Sequence, residues 1–149
     1  MIKKNISLIF LIFFLTNCGF TPVYQSNTNI NYSIEQVNYS GDREFNNFLK
    51  SNLSKYKDKK IDNKIYIDVN NIYRKNVLSK NNAGEVTNYQ LEVEAIFLIK
   101  PLNKEVKIVE KKIMNSMDDK FEEARQERSI KQNFASSITS KLSSKLIIN

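Results

Sequence analysis

A chain of 149 residues with a formal charge of +7, 41% hydrophobic residues, three glycines, one cysteine and no histidine has room for one hydrophobic core. Histidine-based acid–base catalysis, a thiol paired with histidine and a glycine-rich phosphate cradle all lack their residues. The excess of 23 Lys and Arg over 16 Asp and Glu favours phosphate-bearing partners, and charge alone does not choose among nucleic acid, anionic lipid and phosphorylated glycolipid.

The amino terminus narrows that choice. Lys3 and Lys4 precede an almost unbroken apolar run from Ile6 to Leu15, and Thr16, Asn17 and Cys18 follow. A basic start and a short apolar stretch form a secretory signal, and the run is only half the roughly twenty residues that a bilayer span needs. Cys18 stands where a bacterial lipobox places the cysteine that becomes diacylated and then the new N-terminus, with Leu15 and Thr16 in their usual places and Asn17 replacing a small residue. Acyl chains contribute about 0.8 kcal/mol per buried methylene, so a diacylglycerol and an N-acyl chain on Cys18 hold a domain on a membrane without a spanning helix. Residues 1–17 are therefore expected to be a lipoprotein signal peptide and 18–29 a lipidated start and tether. Gly19, where Asp would favour the inner membrane, points to the outer one. Export also argues against nucleic acid as the partner.

Residues 30–149 read as one domain. Ile30, Tyr32 and Ile34 alternate, and Val37 and Tyr39 continue in the opposite phase, which predicts a first strand over 30–39 with a bulge near Glu35 and Gln36. Ser40, Gly41 and Asp42 supply turn and capping chemistry, and Phe45, Phe48, Leu49, Leu53 and Tyr56 fall on one face of a helix over 42–57. Alternation resumes at Ile65, Ile67 and Val69 and continues to Val77, a long second strand. Asn81, Asn82, Ala83 and Gly84 tolerate positive φ and predict a hairpin turn into a third strand over 85–100. That strand has one apolar face, Leu91, Val93, Ala95, Phe97 and Ile99, and an outer face that changes from Glu92 and Glu94 to Ile96 and Leu98. Pro101 to Asn103 predict a turn, and Val106, Ile108, Val109 and Ile113 mark a fourth strand over 104–117.

Asp119 followed by Glu122 resembles a capping box, and no Gly or Pro interrupts the chain from there to Ile147. Phe121, Ala124, Ala135, Ile138 and Leu142, joined by Ile130, Phe134 and Leu146, give a last helix its apolar stripe. The order β-α-β-β-β-α implies an α+β fold, a two-layer sandwich with a four-stranded, mostly antiparallel sheet and both helices on one face.

No catalytic or metal site emerges. Asp118, Asp119, Glu122 and Glu123 are the densest acidic group, and at a helix start they fit capping and dipole roles. Without His or a free Cys, only an oxygen-ligand cation site could form, and no Asp-rich loop is present. The cations singled out are Lys80, beside the hairpin turn, and Arg125, in the first turns of the last helix and suited to bidentate phosphate contact.

Cys18-Gly19-Phe20-Thr21-Pro22-Val23-Tyr24 resembles the start of mature lipopolysaccharide-assembly lipoproteins of the LptE family. Val86-Thr87-Asn88-Tyr89-Gln90-Leu91 is similar to that family's third-strand start, and Pro101 and the long last helix match in placement. Asn17 and a hairpin turn poor in arginine depart from the pattern. The resemblance implies a non-enzymatic lipoprotein without a cofactor that plugs the lumen of an LptD-like outer-membrane β-barrel, assists its assembly and contacts lipopolysaccharide. It makes Lys80 and Arg125 candidate contacts for lipid phosphates, and Ile96 and Leu98 either barrel contacts or residues covered within the domain. The alternative is a lipid-binding auxiliary lipoprotein of an envelope lipid transporter with no barrel partner.

Overall fold

The computed structural model describes residues 32–57 and 60–147. Cys18, the signal segment and the tether lie outside the described residues, as does Ile30 at the expected start of the first strand. The elements are β1 (Ser33–Gly41), α1 (Arg43–Leu53), a 3-10 turn (Ser54–Tyr56), β2 (Lys64–Lys80), β3 (Val86–Lys100), β4 (Lys104–Asn115) and α2 (Lys120–Ile147). The strands lie in the order β1-β2-β3-β4. β1 runs parallel to β2, with Ser33 opposite Lys64, and the other two pairings are antiparallel, so the sheet is mixed. The expected α+β sandwich is what forms.

Local chemistry explains the boundaries. The change of phase in β1 is a bulge between Ile34 and Gln36, which lets Ile34 be buried while Gln36 is exposed. Gly41 ends the strand at φ +99, and a Cβ there would overlap the Asn71 carbonyl oxygen, so only glycine allows β1 to approach β2 so closely. Asp42 then caps α1, its Oδ1 accepting from the Phe45 amide at 2.7 Å. Asn71 on β2 is fully buried and holds the same corner. Its Nδ2 donates to the Ser40 carbonyl (3.0 Å) and to Asn46 Oδ1 (2.7 Å), and its Oδ1 accepts from the Asp42 amide (3.1 Å). The helix is shorter than the spacing predicts, because after Leu53 the backbone tightens into the 3-10 turn.

The core lies between the sheet and the helices. Ile65, Ile67, Val69, Leu91, Val93, Ala95, Phe97, Ile99, Val106, Ile108 and Met114 meet Phe45, Leu49 and Leu53 of α1 and Ile130, Phe134, Ala135, Ile138, Leu142 and Leu146 of α2. Each fully buried large side chain contributes about 1.5–3 kcal/mol. Among the described residues, no helix lies on the opposite face of the sheet.

One expectation fails in α2. Phe121 is 74% exposed and Ala124 is also exposed, so the apolar stripe begins only at Ile130. Around its start, the inward positions are Glu123, Glu127 and Lys131, spaced by four and in line with Ala135, Ile138 and Leu142. The same helical face is charged for its first three turns and apolar for the rest.

Candidate functional site

The hairpin turn is built by Asn81. Its Oδ1 accepts from the Ala83 amide (3.0 Å) and the Glu85 amide (2.9 Å), its Nδ2 donates to Glu85 Oε2 (2.8 Å), and Gly84 takes φ +84. Below it, the Ser79 and Thr87 hydroxyls bond at 2.7 Å, and Asn88 Nδ2 donates to Ser79 Oγ at 2.8 Å. Lys80 ends β2 opposite Val86, exposed, with no ion pair among the described residues. Beside the turn is an open groove of about 860 Å³ whose lining combines the amides and hydroxyls of Asn81, Thr87, Asn88, Asn115 and Ser116 with the carboxylates of Glu85 and Asp118, the Tyr89 ring, Met117 and Lys120.

Arg125 lies elsewhere. It is exposed on α2, its guanidinium 3.1 Å from Glu122 one turn earlier, a partner that the sequence reading did not assign to it. With Phe121, Ala124, Arg128, Glu44 and Glu127 it lines a separate cavity of about 470 Å³. Arg128 reaches Glu44 at 3.7 Å and lies over the Phe48 ring at 5.6 Å. Arg125 lines this second cavity and Lys80 lines neither, so the two cations are not brought together. Of the acidic group, Asp119 caps α2 through the Phe121 and Glu122 amides (2.8 and 3.3 Å), while Glu122 faces Arg125.

Between these surfaces runs an ionic network that the sequence reading missed. Glu123, 5% exposed, accepts from the Met117 amide (3.0 Å), Ser116 Oγ (3.2 Å), Lys120 Nζ (3.1 Å) and Lys75 Nζ (3.0 Å). The Met117 amide, aided by Lys75 and Lys120 and opposed by burial, holds its carboxyl down at about 2. Lys75 also donates to Glu127 (2.9 Å) and lies 4.3 Å from the centre of the Tyr89 ring. Burial opposes the charge on Lys75, and the bonds to Glu127 and Glu123 outweigh it, so its pKa is raised. Tyr73 donates to Glu127 at 2.8 Å, and burial together with that bond raises its phenol far above the usual value. Lys131, 8% exposed, lies 4.0 Å over the Tyr73 ring and pairs with Glu44 (3.0 Å) and Asp42 (3.8 Å). The signal that could have found this network is the i, i+4, i+8 spacing of Glu123, Glu127 and Lys131.

The helix-free face of the sheet completes the surface. Ile96 is half-buried and Leu98 is 37% exposed there, neither under a helix, together with Tyr66, Ile72, Val109 and Ile113. Its charges pair across strands: Lys107 with Glu94 (2.8 Å), Lys111 and Arg74 with Glu92 (2.9 and 3.2 Å), and Lys100 with Asp68 (2.8 Å). Hydrogen bonding from Lys111 is the main cause that lowers the Glu92 carboxyl below its usual range.

No protein-family model matches the chain, and no curated relative matches it significantly. The fold does have counterparts among solved structures. Rare lipoprotein B from Shewanella oneidensis superposes with a TM-score of 0.55 at 12% identity, over 74% of this chain and 92% of that one. Lipoprotein B from Nitrosomonas europaea gives 0.51 at 15% identity, over 76% and 83%. A minor lipoprotein from Acinetobacter baumannii gives 0.51 at 13%, over 74% and 93%. At these identities the likeness is one of fold, and it spans nearly the whole of each of those domains.

Proposed function

We propose that this protein is a non-enzymatic outer-membrane lipoprotein, anchored through acyl chains on Cys18, that plugs and helps assemble an LptD-like β-barrel and contacts lipopolysaccharide on its way to the cell surface. One observation carries the reading. The domain that follows the signal segment and Cys18 shares its fold with bacterial lipoproteins over about nine-tenths of their length. The surface chemistry is compatible with a polar barrel lumen. The open sheet face is mixed and its charges are paired, so it presents neither a lipid-facing apolar belt nor a one-signed field.

Within this reading Lys80 and Arg125 are two separate phosphate contacts. Lys80 has no carboxylate partner among the described residues, and the exposed Arg125–Glu122 pair is of the kind worth little in water, so the guanidinium is available for exchange. Lys80→Glu and Arg125→Glu variants are expected to bind lipopolysaccharide more weakly than wild type, and binding at the wild-type level removes the lipid contact from the proposal. The test of the whole is affinity purification of the tagged protein from detergent-extracted membranes, with mass spectrometry of what accompanies it. A large β-barrel in equal amount supports the plug. Recovery alone, or with transporter subunits, replaces it with the auxiliary lipoprotein.

A further inference from the structure

The turns of α2 before Ile130 dock without a buried apolar side chain of their own. Phe121 and Ala124 face outward, Glu123, Glu127 and Lys131 face inward, and the first buried apolar residue of the helix is Ile130. Two lysines hold this segment. Lys75 of β2 reaches up to Glu123 and Glu127, and Lys131 reaches across to Glu44 and Asp42 at the start of α1. Each ammonium also caps a tyrosine ring, Tyr89 for Lys75 and Tyr73 for Lys131. Ion pairs of this sort gain little net stability because desolvation opposes their attraction, and a helical segment without packing is marginal in water. Gln126 Oε1, on the same segment, is buried with no hydrogen-bond partner, a group that gains solvation if the segment lifts.

We infer that residues 120–129 form a strap that opens and closes on the hairpin as a unit of its own, while the helix from Ile130 to Leu146 stays docked. Lys75 is the latch. Opening uncovers the half-buried rings of Tyr73 and Tyr89 and removes a wall from both cavities, since Lys120 borders the groove at the hairpin turn and Phe121, Ala124, Arg125, Glu127 and Arg128 border the other. Access to both surfaces is therefore coupled through one ionic network, in which Lys75 bonds both carboxylates of the strap.

Hydrogen exchange read by mass spectrometry, on the full-length protein in nonionic detergent, tests this. In wild type, peptides from 120–129 are expected to exchange at least tenfold faster than peptides from 134–146. Lys75→Met, which keeps the length of the side chain and removes its charge, is expected to speed the first group a further tenfold and leave the second unchanged. Ile138→Ala, in the apolar half, is expected to speed the second group and leave the first nearly unchanged. Equal wild-type rates in the two halves overturn the inference, and so does a Lys75→Met effect that is absent or equal in both. If Lys75→Met does not fold, the wild-type rates and Ile138→Ala decide, because equal acceleration of both groups by Ile138→Ala also overturns it.

Discussion

The two faces of the sheet are made from the same strands by opposite rules. On the covered face Leu91, Val93, Ala95, Phe97 and Ile99 of β3 are all completely buried, and the helices supply matching apolar side chains. On the open face the alternate residues of β3 are Glu92, Glu94, Ile96 and Leu98, with carboxylates held by lysines on β4 and apolar side chains left partly in water. The covered face provides stability through burial, whereas cross-strand ion pairs at an exposed surface contribute little. What the open face provides is a surface without excess charge on a basic protein, so the domain's positive field comes from its other parts.

Substitutions on the two faces measure that contrast. Phe97→Ala empties the centre of the covered face and is expected to cost about 3–5 kcal/mol in denaturant unfolding. A loss below about 1 kcal/mol would show that the core relaxes around it. Gly41→Ala strains the corner that brings β1 onto β2, by placing a side chain at φ +99 against the Asn71 carbonyl, and is expected to cost on the order of 2 kcal/mol or more.

Acid sharpens the comparison. Glu123, under α2, has its carboxyl lowered from 4.5 to about 2, so its contribution is complete above the unfolded value and lost as pH falls through the folded one. The stability gap between wild type and Glu123→Gln is expected to narrow as the pH drops from about 5 to about 2. A gap that stays constant over that range would mean that the ionised form is not what stabilises. The smallest effect belongs to the open face. Ile113→Thr, at a side chain 59% exposed, is expected to change stability by no more than about 0.5 kcal/mol. A larger loss in the isolated domain would mean that the open face carries packing of its own.

Most of the architecture was legible because it rests on short-range patterns. Alternation in 65–77 and 91–99, the turn residues 81–84 and the change of phase in 30–39 each report a local backbone geometry, and the bulge and the hairpin follow. What was not legible depends on long-range partners. Phe121 and Ala124 fit an apolar helical stripe, yet the sheet beneath them offers Lys75 and Tyr73, which favour Glu123 and Glu127 one position round the helix. Val109 and Ile113 were read with Val106 and Ile108, and they point to the opposite face of β4. The site was less legible than the fold. Lys80 and Arg125 stand out by residue type and position in the chain, and type does not reveal that Arg125 faces Glu122 or that the two cations are not brought together.

The parallel pairing of β1 with β2 decides which way the molecule points. Because Ser33 lies opposite Lys64, the chain enters the sheet at the end where β2 begins, and the turn at 81–84 is at the other end. The 17 residues of β2 span roughly 50 Å at about 3.3 Å each. Under the proposed lipid anchoring, the hairpin tip is the end of the domain farthest along β2 from the point where the chain enters the sheet.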